Sequence, residues 1–79
     1  MPKTIWTQRH SKLRALLIQE RKTHGLTQAD VAQRLGRPQS FVAKYERGER
    51  RVDVVEFLDL AAIIGFDPHA LISALEEGE

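Results

Sequence analysis

Few side chains of this 79-residue chain have the types and spacing that chemistry needs, and most are soon excluded. There is no cysteine, so neither a disulfide framework nor a thiolate metal site is available. His10, His24 and His69 are too scattered along the chain for a metal site and are expected at the surface. Ser11, Ser40 and Ser73 have no His/Asp arrangement of the kind nucleophilic catalysis requires. No glycine-rich loop is present to cradle a phosphate. The expectation is therefore no enzyme, no cofactor and no metal. Among the polar side chains left are Gln39, Ser40 and Lys44. On one helix these positions share a face toward its N-terminal end, while Val42 and Tyr45 point the opposite way. Side chains of these types form hydrogen bonds, the glutamine amide at two points and the lysine ammonium as a charged donor.

Two short helices, Gln28–Leu35 and one from Pro38-Gln39 to about Arg47, must position that face. The turn between them contains Gly36, the spacing of a helix-turn-helix over residues 28–45. Ala32 must be small because the second helix crosses close above it, and Gly36 supplies positive φ in the turn. Val31, Leu35, Val42 and Tyr45 form an apolar seam that locks the pair at a steep angle. Locked this way, the second helix projects from the surface and fits a major groove about 12 Å wide.

The flanking segments complete an all-α pattern. Leu13, Leu16, Leu17 and Glu20/Arg21 repeat at helical spacing over about Ser11 to His24, and Gly25 ends that helix. Thr27 with Asp30 reads as a short-armed capping box, and Asp53 with Glu56 as another. A helix from Asp53 to Ile64 is expected to bury Val54, Phe57, Leu58, Ala61 and Ile64, with Gly65 after it. Asp67-Pro68 opens a fifth helix through Leu71, Ile72 and Leu75. With no alternating segments, repeats or low-complexity tracts, the expectation is one five-helix domain over 1–79, its core about 11–75. The content of 42% apolar and 29% charged residues is ordinary for a globular chain.

The net charge of +1 hides a division. Residues 1–26 set six basic side chains against Glu20 alone, and residues 27–51 set six against Asp30, Glu46 and Glu49. Residues 52–79 hold seven carboxylates and no Lys or Arg. A basic front of this kind suggests a polyanionic partner. The longest apolar stretch, Leu60 to Ile64, is far short of the roughly 20 residues that span a bilayer. With no signal-peptide block in residues 1–26 either, the expectation is a cytoplasmic protein without membrane association.

The runs Leu26-Thr27-Gln28-Ala29-Asp30-Val31-Ala32, Leu35-Gly36 and Gln39 to Gly48 resemble the phage repressor and Cro (Xre-type) helix-turn-helix family. Gln28, Ala32, Gly36, Gln39, Val42, Glu46 and Gly48 stand in register, and the likeness extends from about Leu13 to Leu75. It implies a compact lambda-repressor-like fold and a small transcriptional regulator of double-stranded DNA, a repressor or autoregulator on a palindromic operator. It also implies that Gln28 contacts phosphate and steadies Gln39, and that Gln39, Ser40 and Lys44 read bases. Phe41 and Ala43 stand as apolar or minor base contacts, with core edge as the alternative for Phe41. Thr27, Arg37, Arg47, Arg50 and Arg51 are phosphate candidates. The chain departs from the family pattern at Arg37, where an apolar residue is usual, and at Pro38, which leaves an N-cap bond unmade.

The family further implies an ion pair between Arg21, at an apolar-period position, and Glu46, next to Tyr45. A two-fold homodimer is expected through Leu60, Ile63 and Phe66, with Leu71 to Leu75 as the substitute surface. The biological role is left open between an antitoxin-like autoregulator with a toxin as partner, a phage-type repressor and a restriction controller. A rival reading is a protein-interaction module, whose main partner is another polypeptide.

Overall fold

The computed structural model describes residues 7–77, in which five helices follow one another with no strand. They are α1 (Gln8–Thr23), α2 (Gln28–Leu35), α3 (Gln39–Arg47), α4 (Val54–Ile64) and α5 (Pro68–Glu77). Lys3 and Glu79, which enter the charge division, lie outside the described residues. No described helix is long and apolar enough to cross a membrane.

Local chemistry sets most of the boundaries. The Thr27 hydroxyl accepts the Asp30 N–H at 3.0 Å while the Asp30 carboxylate accepts the Thr27 N–H at 2.9 Å. Asp53 and Glu56 repeat this exchange at α4, at 2.7 and 3.1 Å. Pro38 stands at the N-cap of α3 and makes no side-chain cap. Gly36 adopts φ 71°, so the chain reverses between α2 and α3 without a Cβ clash. Helix α1 starts three residues before the expected Ser11, because the Thr7 hydroxyl caps the His10 N–H at 3.1 Å. The polar run Gln8-Arg9-His10 has no apolar periodicity that would have marked this turn.

Helix C-termini are treated differently. Each of the last three helices has a carbonyl of its final turn taken by a basic side chain from an earlier helix. Arg14 donates to Glu46 of α3 through Nε (3.2 Å) and Nη2 (3.0 Å), Arg34 to Ile63 of α4 (3.0 Å), and Lys12 to Ala74 of α5 (2.8 Å). Carbonyls in the last turn of a helix run out of intrahelical donors and carry the negative end of the helix dipole, so a cation suits both demands. Part of the basic front is therefore structural rather than turned to a partner.

The core is built from Leu17, Val31, Ala32, Val42, Tyr45, Leu60 and their neighbours, with Phe57 tilted against Phe66 at 5.7 Å. Tyr45 is a packing residue. Its hydroxyl meets no hydrogen-bond partner among the described residues, and burial pushes its pKa above the ordinary phenol value.

Helix α4 corrects the sequence reading. Its buried stripe is Phe57, Leu60, Ala61 and Ile64, whereas Val54 is 74% exposed and Leu58 half exposed. Leu60, expected at a dimer seam, is 0% exposed, and Phe66 is buried against Phe57. Ile63 is half-buried against the core. The substitute surface fares no better at Leu71, which is buried. The segment VVEFLDLAAII is apolar nearly all round, so periodicity alone does not choose its inward face. The packing of α2 and α5 against it makes that choice.

Candidate nucleic-acid interface

The inner side of α3 is fixed to the body through one buried carboxylate. Glu46 accepts Arg21 Nε at 2.8 Å on one oxygen and Arg21 Nη2 at 3.2 Å on the other, a bidentate fork. The Arg21 and Glu46 side chains are 12% and 5% exposed. Arg21 Nη1 reaches back to the Leu26 carbonyl at 2.8 Å, tying the α1–α2 turn to the same pair. Gln28 donates its amide to Glu46 Oε1 at 2.9 Å. Among the described residues no hydrogen bond joins Gln28 to Gln39, and the Gln28 amide is held by Glu46. A carboxylate oxygen accepts only, which turns the Gln28 N–H₂ inward.

Arg14 completes this anchorage by holding the Glu46 carbonyl, and its guanidinium lies under Gly48. A Cβ at Gly48 would meet Arg14 Cζ at 3.0 Å, and φ there is 83°, so glycine answers both a conformational and a steric demand. Arg14 was not singled out from sequence. The available signal was its spacing of seven from Arg21, two turns along one face of α1.

The outer side of α3 is open. Gln39 and Ser40 in its first turn and Lys44 further along are exposed, and their side chains form no hydrogen bond among the described residues. Ala43 is half-buried. Phe41 is 6% exposed and packs edge-on against Tyr45 at 5.5 Å, which makes it core and removes it as a thymine contact.

Around this face lie the phosphate candidates. Arg37 and Arg50, from opposite ends of α3, converge on one ring: their guanidinium carbons lie 4.1 and 4.6 Å from the Phe41 centroid. Arg37 thus covers an aromatic face, which explains an arginine where an apolar residue is usual. Glu56 joins the pair, accepting both Nη atoms of Arg50 at 2.8 Å and standing 3.5 Å from Arg37 Nη1. The Arg50 hydrogen bonds hold the Glu56 carboxyl down at about 2, against a smaller opposing effect of burial. Arg47 forks onto Glu49 in an exposed pair, and Arg51 is exposed. Thr27 keeps a hydroxyl proton to donate while its oxygen caps α2. Glu56 was legible only as a cap, since its spacing from Asp53 says nothing of Arg37 or Arg50. Among the described residues no group of three or more His, Asp or Glu side chains could hold a metal ion.

Two short helices joined by a glycine turn, the second locked on one side and polar on the other, define the helix-turn-helix class of DNA-binding domains. A family described as helix-turn-helix domain matches residues 12–75. The fold is similar to that of an XRE-family like protein from Pseudomonas syringae pv. tomato str. DC3000, at 54% identity and a TM-score of 0.84, covering 87% of this chain and 84% of that one. It is also similar to the restriction-modification controller protein C.AhdI from Aeromonas hydrophila, at 34% identity and a TM-score of 0.71, covering 78% of this chain and 94% of that one. No curated protein sequence matches the chain. The chain belongs to the helix-turn-helix domain family, in its Xre-type branch, and is a DNA-binding transcriptional regulator.

Proposed function

We propose that α3 enters the major groove and reads bases through Gln39, Ser40 and Lys44, while Thr27, Arg37, Arg47, Arg50 and Arg51 border the phosphates. The observation that carries this reading is the contrast between the two sides of α3: one is fixed through Glu46 and Phe41, the other holds exposed, uncommitted donors and acceptors. Phosphate contacts set register and affinity, and base contacts set sequence preference. Replacing Gln39 by alanine is expected to lose about 1–3 kcal/mol on the preferred site, isolated by selection from random duplexes, and to relax base choice there. An equal loss on selected and random DNA rejects the assignment.

The regulator acts by binding rather than catalysis, as a small repressor or autoregulator in the cytoplasm. Likeness to a restriction-modification controller supports a controller-type role over an antitoxin or phage-type one. A chain that shows no salt-dependent DNA binding would instead be a protein-interaction module.

A single recognition helix covers only about four base pairs, so a two-fold dimer on half-sites one turn apart is the geometry this reading needs. The seam moves from Leu60 and Phe66 to the large aliphatic residues that are exposed, Val54, Val55 and Leu58 on α4 and Ile72 on α5. Val54 and Ile72 line a shallow apolar groove of about 180 Å³ between α1, α4 and α5. Burying one such side chain is worth roughly 1.5–3 kcal/mol, and 1.4 kcal/mol is about tenfold in affinity. Leu58→Asp is therefore expected to weaken dimerisation by more than about tenfold in sedimentation. An unchanged dimerisation constant removes this face from the interface. The seam lies in the acidic third, so pairing should tighten as salt is added.

A further inference from the structure

Glu56 shares no hydrogen bond with Gln39, Ser40 or Lys44, yet it holds Arg37 and Arg50, two of the cations that flank α3. Its carboxylate takes Arg50 in a two-pronged fork at 2.8 Å and lies 3.5 Å from Arg37, with both guanidiniums over the Phe41 ring. The Glu56 side chain is only 14% exposed, and one of its oxygens also accepts the Asp53 N–H at the start of α4. A carboxylate presents two oxygens to a guanidinium much as a phosphodiester does. Arg50 further donates Nη1 to the Arg51 carbonyl at 2.7 Å, so its fork is engaged within the chain.

Resting on the reading of α3 as the DNA-contacting helix, we propose that Glu56 is a positioning and specificity-determining residue, an internal stand-in for phosphate that masks Arg37 and Arg50 from DNA of arbitrary sequence. Sequence-independent affinity comes from counterions released as cations meet phosphates, with a slope of about −0.9 in log K against log salt for each phosphate neutralised. A guanidinium already paired with a carboxylate attracts phosphate weakly, and that carboxylate repels it. Gln39, Ser40 and Lys44 have no bond to Glu56, so base contacts are untouched by the masking. Glu56 therefore lowers binding to random DNA more than binding to a preferred site. The Arg47–Glu49 pair differs, because both partners are more than half exposed and salt screens them readily.

Glu56→Gln keeps an oxygen for the Asp53 N–H and removes the charge from the two arginines. Binding to a mixed-sequence duplex of about 20 base pairs, followed by fluorescence anisotropy across about 50–200 mM salt, is expected to tighten about five- to tenfold at low salt, with a slope steeper by one to two. Asp59→Asn makes the same charge change one turn along α4, beside Arg34, and is expected to alter affinity less than about twofold. Adding Arg50→Ala to Glu56→Gln should abolish the gain. A Glu56→Gln variant that binds no tighter than Asp59→Asn, or that keeps its gain without Arg50, overturns the proposal. Absence of salt-dependent binding by the wild type overturns the DNA reading as well, whereas binding that Glu56→Gln leaves unchanged overturns this inference alone. If Glu56→Gln unfolds, Arg50→Gln in the wild-type chain gives the reverse measurement. A masked cation loses less than about twofold, and a loss of tenfold or more shows Arg50 already engaged with phosphate.

Discussion

Replacing Glu46 by alanine is expected to destabilise the protein by roughly 3–5 kcal/mol, the effect of leaving a buried charge without its partner. Glu46 is the meeting point of α1, α2 and α3: its carboxylate accepts three hydrogen bonds from Arg21 and Gln28. Without it the Arg21 guanidinium keeps only the Leu26 carbonyl, in a site where its side chain is largely desolvated. The loss is a large share of the 5–15 kcal/mol that about covers a small domain, and each kcal/mol moves Tm by roughly 4–8 °C at this size. Thermal unfolding followed by circular dichroism reads it directly. A Glu46→Ala chain that melts at the wild-type temperature would show that the pair contributes nothing. The double replacement Arg21→Met with Glu46→Leu should be less damaging than the sum of its singles, because no charge is left behind. This anchorage also governs function, since tilting α3 would displace Gln39 and Lys44 together.

The second large effect is electrostatic. Between about 50 and 200 mM salt, binding to duplex DNA is expected to weaken by about three orders of magnitude, a slope near −5, if a bound dimer neutralises roughly six phosphates. The cations available for this are fewer than the basic front suggests. Lys12, Arg14, Arg21 and Arg34 are engaged with helix-end carbonyls or with Glu46. Lys44, Arg47 and Arg51 stand around α3 in each copy, Arg47 beside Glu49, while Arg37 and Arg50 are held by Glu56. Six phosphates for two copies is a demand that set can meet. A slope shallower than about −2 would show that this face does not meet the DNA backbone.

What the sequence determined by itself is what neighbouring residues decide. Thr27 with Asp30, Asp53 with Glu56, and the glycines at 36, 48 and 65 place the ends of α2, α3 and α4, because a cap is a bond between residues three or four apart. The helix-turn-helix spacing is legible for the same reason, and so is the open face of Gln39, Ser40 and Lys44, which follows from helical geometry once Val42 and Tyr45 are known to face inward. A charge at Arg21 on an apolar stripe is itself a signal, since such a position demands a partner. Tertiary structure alone decided the rest. Which side of the nearly all-apolar α4 is buried depends on α2 and α5, and that choice placed Leu60 in the core and Leu58 outside. Whether a basic side chain meets solvent or a distant carbonyl depends on where three helices end in space. Arg14, separated by 32 residues from the Glu46 carbonyl it holds, cannot be told in sequence from an arginine that faces DNA. The same holds for Gln28, whose amide found Glu46 18 residues away, and for Glu56, whose two arginines come from separate loops. Contacts of this length are set by packing the apolar faces together, and the polar groups then bond to whatever that packing brings within about 3 Å.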